Sequence, residues 1–245
     1  MSLQNKSDIS NRNTWIDMMR VVFCLYIIFM HGEIYLRDIT VNRLFEGGYL
    51  GVDFFFMVTG FYLFQYTNDS FSVLKKKVKK LYPQYVASIL LLFLIFVLKE
   101  ELTIEKTRRL VWNLIMLQMP LGADINGVAW FVAALIPCSF VVYLLFVNVR
   151  GGGVNQGRRM LTSITAAVVC CTTYLFIFMI SSSVDYVGSK LTPFVEGRYY
   201  RAFADITLGH VLRIISETQS SEEQTYQIEN NLRYYIFLNN PQAFP

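Results

Sequence analysis

The chain has 245 residues, of which 54% are hydrophobic and only 16% are charged, and its net charge is +4. Soluble domains average about 45–50% apolar and about 25% charged residues, so this composition excludes an ordinary soluble domain and indicates an integral membrane protein. The net charge is too small to indicate a nucleic-acid partner. The four cysteines lack metal-ligand spacing, so no metal is expected.

Six hydrophobic segments follow one another along the chain. A helix needs ~20 mostly apolar residues to cross the hydrocarbon core of a bilayer. We therefore predict an all-α, polytopic membrane protein with about six transmembrane helices. The predicted spans are residues 15–36, 49–67, 84–98, 127–149, 162–182 and 201–215.

Two further segments are not interpreted as spans. Residues 110–119 are apolar but too short, and we predict that they form an interfacial or re-entrant helix. The chain becomes polar after Ile215. We predict a membrane domain over residues 1–216 and a polar cytoplasmic tail or truncated loop over residues 217–245.

Basic residues between the spans predict the orientation of the chain. Lys75–Lys80 lie between the second and third spans, and Arg150, Arg158 and Arg159 lie between the fourth and fifth. Cytoplasmic loops carry an excess of Lys and Arg. Placing both loops in the cytoplasm places the N-terminus there as well.

The first span carries three ionisable residues on one face. Arg20 and His31 are eleven residues apart, which places them about 20° apart around a helix and ~16 Å apart along it. Asp17 shares this face. Ionisable groups in a span cost about 2.5–3.5 kcal/mol each and usually face a protein interior or a wet cavity. Two interpretations stay open: interfacial, solvated side chains, or a site in which the His31 imidazole is a general base.

Five segments resemble one family in the right order. They are D-x-x-R followed by His in the first span, then GYLGVDFFFMVTGFYLF, KKKVKKLYPQY, GVAWFVAALI and RYYRAFADITLGH. Together they resemble the acyltransferase type 3 family of membrane acyltransferases over most of residues 15–210. Thr59 stands where the family usually has Ser.

The resemblance implies an O-acyltransferase of the bacterial cytoplasmic membrane. Such proteins move an acyl group, usually acetyl, from cytoplasmic acyl-CoA to a hydroxyl of a cell-surface glycan or a lipid-linked saccharide. It implies that His31 is catalytic, with Arg20 as its required partner. It also places Lys77 and Lys80 at the positions of an Arg-x-x-Arg pair that meets the CoA phosphates, and the alternative for this lysine run is a positive-inside anchor.

Four further residues are candidates to line a cavity: Asp17, Asp53, Trp130 and Arg201. Asp53 and Trp130 have the alternative of lying at the membrane interface. Arg201 and Asp205 are four residues apart and can pair along one helix face.

Three other positions have structural interpretations. Gly51 and Gly60 are nine residues apart, half a turn around a helix, so we predict that they allow close contacts with two different helices. His210 has no catalytic counterpart in the family and is predicted to be structural.

Two alternatives to an active enzyme stay open. Intramembrane Asp, Arg and His also mark transport paths, so a transporter or flippase-like protein is the alternative function. The family usually has around ten spans, so the resemblance also allows a C-terminally truncated, inactive fragment. A homo-oligomer or a second polypeptide that supplies the missing spans is then an expected partner.

Overall fold

The computed structural model of the protein describes residues 14–32, 46–63, 70–116, 118, 130–147, 156–181 and 196–239. Within these ranges the chain forms seven α-helices and no strand, which confirms the all-α class. The helices are α1 (Thr14–Gly32), α2 (Tyr49–Tyr62), α3 (Ser70–Leu98), α4 (Ile104–Leu114), α5 (Trp130–Val142, extended by a π-helical turn to Val147), α6 (Gln156–Ser181) and α7 (Gly197–Asn239).

Among the residues that the structure describes, three helices are long and apolar enough to cross a membrane. They are α1, the Lys75–Leu98 part of α3 and the Met160–Ser181 part of α6. The second and fourth predicted spans correspond to the shorter apolar helices Tyr49–Tyr62 and Trp130–Phe146. The sixth predicted span lies inside α7. The remaining ends of the predicted spans, residues 33–36, 64–67, 127–129, 148–149 and 182, lie outside the described residues.

The lysine run is helical, which corrects the prediction of a loop between the second and third spans. Helix α3 begins at Ser70, fourteen residues before the predicted start of the span, and contains Pro83. Lysine is a good helix former, and Pro83 removes one backbone hydrogen bond without ending the helix. The lysines therefore have fixed positions on a helix surface.

The polar segment after Ile215 is also largely helical. Helix α7 continues to Asn239, so the predicted domain boundary at residue 216 falls inside one helix of 43 residues, ~65 Å long. Glu, Gln, Arg and Leu in this segment are good helix formers. Hydropathy alone does not separate a polar helix from a polar loop. This explains why the sequence predicted a tail or loop where the structure has a helix.

The predicted short helix begins six residues earlier than expected, at Ile104. The Thr103 side chain caps α4 by accepting a hydrogen bond from the Lys106 backbone N–H at 3.2 Å. A hydrogen bond from Arg109, which has the larger effect, and one from Arg108 hold the pKa of the Glu105 carboxyl below its ordinary value. The charged face leaves Leu110 and Asn113 buried on the other side, so α4 is a strongly amphipathic helix.

Helix α7 is the centre of the bundle and packs against α2, α5 and α6. It crosses α2 with direct backbone contact at two glycines. A Cβ added to Gly60 would lie 1.9 Å from the Ile206 carbonyl oxygen, and one added to Gly209 would lie 1.9 Å from the Met57 carbonyl oxygen. Only glycine permits this separation of the two helices.

Helix α1 packs on the opposite side of α2, at a different glycine. A Cβ on Gly51 would lie 2.9 Å from the Ile27 side chain and 3.1 Å from the Phe23 carbonyl oxygen. Because Gly51 faces α1 and Gly60 faces α7, the prediction that the two glycines serve two different helix contacts is confirmed.

Candidate active site

Arg20 is held from two sides. Its Nη1 atom lies 2.7 Å from Oδ1 of Asp17, one turn earlier on α1. Its Cζ atom lies 5.6 Å from the centre of the Tyr62 ring at the end of α2. An arginine over an aromatic face at this distance makes a cation–π contact. The Arg20 side chain therefore connects the N-terminal half of α1 to the C-terminal end of α2.

Arg20 opens into a cleft of about 420 Å³ between α1, α2, α3 and α5. The cleft has a basic wall and an apolar floor. The basic wall consists of Arg20, Lys76, Lys77 and Lys80. The apolar floor is the rest of the lining, which is largely hydrophobic and consists of Phe55, Val58, Thr59, Tyr62, Leu81, Phe131 and Leu135. Such a surface favours an amphipathic anion, with its charges on the lysines and its apolar part on the floor.

Lys76 is a member of this wall that sequence reasoning missed. Lys76, Lys77 and Lys80 lie at relative positions 0, 1 and 4 of α3, so they share one side of the helix. The signal was present in the sequence, but it becomes visible only when the lysine run is assigned to a helix.

His31 lies at the far end of α1 from this cleft. It is exposed and sits in the last turn of the helix. Its neighbour Met30 packs against Gly48, next to the start of α2. The structure therefore brings Arg20, Lys77 and Lys80 together and leaves His31 ~16 Å along the same helix.

Asp53 and Arg201 form a buried, two-pronged ion pair between α2 and α7. Nε of Arg201 lies 2.6 Å from Oδ1 of Asp53, and Nη2 lies 2.8 Å from Oδ2. Nη2 also donates to the Tyr49 carbonyl oxygen at 3.2 Å. The Arg201 side chain is 3% exposed, so its charge depends on this carboxylate. The principal partner of Arg201 thus comes from another helix.

Asp205, the partner of Arg201 that the sequence suggested, accepts a hydrogen bond from the Tyr174 hydroxyl of α6. Asp205 is 2% exposed, and its Oδ2 atom has no hydrogen-bond partner among the described residues. Three helices therefore meet at one polar cluster, which consists of Asp53, Tyr174, Arg201 and Asp205. No sequence pattern indicated Tyr174.

Two further predicted positions lie in the core. Trp130 is 7% exposed, packs with Phe56 and lies under the Arg198 guanidinium, whose Cζ is 5.4 Å from the ring. His210 is fully buried and stacks on Phe146 with ring centres 6.0 Å apart. These contacts agree with a structural role for His210.

The helices and the cleft define a polytopic membrane protein with a basic, amphipathic cleft. A family model described as an acyltransferase domain matches residues 13–228, which include every candidate site residue. The chain belongs to this acyltransferase family, and the predicted membership of the acyltransferase type 3 family is confirmed. Neither a curated protein nor a solved structure significantly matches the chain.

Proposed function

We propose that this chain is a membrane-bound O-acyltransferase. It moves an acyl group, typically acetyl, from acyl-CoA to a hydroxyl of a cell-surface glycan or a lipid-linked saccharide. One observation carries the proposal: four cations and an apolar floor form a cleft at one end of the helix whose other end carries His31. This arrangement suits a donor with phosphates at one end and a reactive thioester at the end of a long arm.

The donor phosphates bind the basic wall of the cleft. Lys76, Lys77 and Lys80 act as point charges, whereas Arg20 adds a planar fork of N–H donors that matches phosphate oxygens. The pantetheine arm then extends along α1 toward His31. Its extended length is comparable to the ~16 Å between Arg20 and His31.

His31 supplies the chemistry. In direct transfer, the imidazole takes the proton of the acceptor hydroxyl, the oxygen attacks the acyl carbon, and the C–S bond breaks. The proton ends on the sulfur of the released CoA. In the second mechanism, an imidazole nitrogen of His31 attacks the acyl carbon, the C–S bond breaks, and the thiolate takes the imidazole proton. The acceptor hydroxyl then attacks the acyl-imidazole, the C–N bond breaks, and the hydroxyl proton passes to the imidazole. Both mechanisms release one CoA for each ester formed.

Replacement of His31 tests this proposal. Vesicles of native membrane, which supply both the wild-type chain and its acceptor, are expected to release free CoA from acetyl-CoA. His31→Ala is expected to lower the rate about 10²- to 10⁴-fold, the usual contribution of a general acid–base. The measurement is thiol release over time. Ile28→Ala, an exposed position on the same helix, is the matched control and should keep the wild-type rate. Equal release by wild type and His31→Ala would contradict the catalytic role.

The basic wall allows a second test, with two neighbouring lysines. Lys80→Ala is expected to raise the KM for acetyl-CoA about tenfold, because a charge-assisted phosphate contact contributes about 1.5–3 kcal/mol when well formed. Lys79→Ala removes the same charge from the same helix, but Lys79 does not line the cleft. Its KM should stay at the wild-type value. Equal effects of the two substitutions would show a diffuse positive-inside role in place of a phosphate site.

The proposed location is the bacterial cytoplasmic membrane, with the N-terminus in the cytoplasm. The basic residues of α3 support this orientation, because cytoplasmic loops and span ends are rich in Lys and Arg. It places the cleft on the side from which acyl-CoA arrives. It places His31 toward the opposite side, where cell-surface acceptors lie.

A transporter is the second candidate, and the buried cluster of Asp53, Tyr174, Arg201 and Asp205 favours it, since charged groups inside a bundle also line transport paths. Thioester consumption separates the two functions. A transporter has no need to release CoA. A fragment that works only with a partner would release CoA only when a second polypeptide or a second copy of the chain is present.

A further inference from the structure

Tyr62 lies in the family-like segment GYLGVDFFFMVTGFYLF, but the sequence analysis assigned it no role. It is the last residue of α2, lines the basic cleft and lies under the Arg20 guanidinium. The separation of 5.6 Å between the Arg20 Cζ atom and the ring centre is within the range of about 6 Å for a cation–π contact.

Arg20 needs the contact with the Tyr62 ring, because its ion pair with Asp17 holds it only weakly. The side chains of Arg20 and Asp17 are 40% and 24% exposed, and ion pairs on one helix with this exposure contribute little. An arginine side chain also has many rotamers. The ion pair with Asp17 alone is therefore too weak to hold Arg20 in one rotamer.

An aromatic ring also holds an arginine differently from a carboxylate. A carboxylate such as Asp17 offsets the positive charge and occupies N–H donors. The face of the Tyr62 ring attracts the guanidinium plane, leaves its charge in place and leaves the N–H groups at its edge available to a phosphate.

We propose that Tyr62 is a positioning residue that holds the Arg20 guanidinium in the basic cleft, with its N–H donors available to the anionic donor substrate. The identity of that anion as acyl-CoA rests on the proposed function. The position of the guanidinium does not, because it follows from the contact between α1 and α2.

The neighbouring residue provides a matched control. Phe61 makes the same kind of contact with Arg213, at 5.2 Å from Cζ to the ring centre, and it does not line the cleft. The Phe61 and Tyr62 rings also touch edge to face, with centres 5.3 Å apart. Phe61→Leu therefore removes a similar ring from the same turn of α2.

Kinetics with acetyl-CoA test whether Tyr62 acts through Arg20. Tyr62→Leu is expected to raise the KM about fivefold with little change in kcat. Tyr62→Phe, which keeps the ring, and Phe61→Leu should both stay near wild type. In an Arg20→Ala background, Tyr62→Leu should have no further effect. Additive effects would show that Tyr62 acts independently of Arg20 and would overturn the proposal.

A spectroscopic measurement keeps the two proposals distinguishable. In an NMR spectrum, a proton over an aromatic face is shifted upfield. The Arg20 Nε–H resonance can be assigned by its loss in Arg20→Lys. It should move downfield in Tyr62→Leu, which removes the ring, but not in Phe61→Leu. If this shift occurs while wild type releases no CoA, the positioning role stands and acyl-CoA is the wrong anion. A resonance unchanged in Tyr62→Leu would overturn the positioning role, whatever the kinetics.

Discussion

Arg201→Ala is expected to destabilise the protein by about 3–5 kcal/mol, the usual effect of removing one partner of a buried ion pair. The substitution leaves Asp53 without the two hydrogen bonds that it receives from Arg201, and it removes the positive charge of Arg201 from the nearby Asp205. We expect a large fall in the melting temperature of the detergent-purified protein and a low yield of folded material.

Arg213→Ala is the control for this prediction. Arg213 lies three turns later on α7 and pairs with Glu217 at 2.9 Å in an exposed i, i+4 geometry. Such pairs contribute about 0.3–0.5 kcal/mol, and the cation–π contact of Arg213 with Phe61 adds about 0.5–1 kcal/mol, so the melting temperature should fall by only about 2–6 °C. If both variants melted within a degree or two of wild type, the ion pair of Arg201 with Asp53 would not stabilise the packing of α2 against α7.

The glycine crossing between α2 and α7 gives the second large effect. Gly60→Ala and Gly209→Ala each place a methyl group 1.9 Å from a carbonyl oxygen of the opposite helix, so the backbones must separate. Overpacking of this kind costs typically about 1–3 kcal/mol, and rigid backbone atoms leave little room for relaxation. Each variant should melt well below wild type, and activity should fall with the amount of folded protein.

Gly32→Ala separates this steric effect from the general effect of replacing a glycine. An added Cβ at Gly32 has no atom of the described residues within 4 Å. Alanine is also the better helix former, and its advantage of about 1 kcal/mol in a helix interior is smaller at Gly32, the last residue of α1. Gly32→Ala should therefore melt at or slightly above the wild-type temperature. A similar loss of stability in all three alanine variants would contradict the close crossing of α2 and α7.

The two halves of the proposed site differ in how they are held. The Arg20 end lies in a cleft where α1, α2, α3 and α5 meet. The His31 end is exposed in the last turn of α1, which packs against α2. A change in the packing of α1 on α2 at Gly51 would move both ends together, because one rigid helix carries both residues.

Much of the fold could be predicted from the sequence, because membrane insertion leaves a strong local pattern. Long apolar runs identified α1, α3 and α6, since a helix is the structure that satisfies backbone hydrogen bonds within one segment in lipid. Helical periodicity placed Arg20 and His31 on one face. It also predicted that Gly51 and Gly60 face different helices, which the structure confirms.

The start of α3 and the length of α7 were missed for a different reason. Hydropathy reports on contact with lipid, and the Lys75–Lys80 run and the residues after Ile215 are polar. Their helical conformation comes from helix-forming side chains, which hydropathy does not measure. Lys76 was missed as a result, because its place beside Lys80 depends on that helix.

The sequence by itself determined the class of protein, the order of its apolar helices and the residues with a capacity for chemistry. Only the tertiary structure decided which of these residues meet. Asp53 and Arg201 are 148 residues apart in sequence and share two hydrogen bonds. The Tyr62 ring of α2 contacts the Arg20 guanidinium of α1. Periodicity specifies the face of a helix on which a residue lies. The helix that covers this face depends on packing between distant segments, such as the close crossing at Gly60 and Gly209.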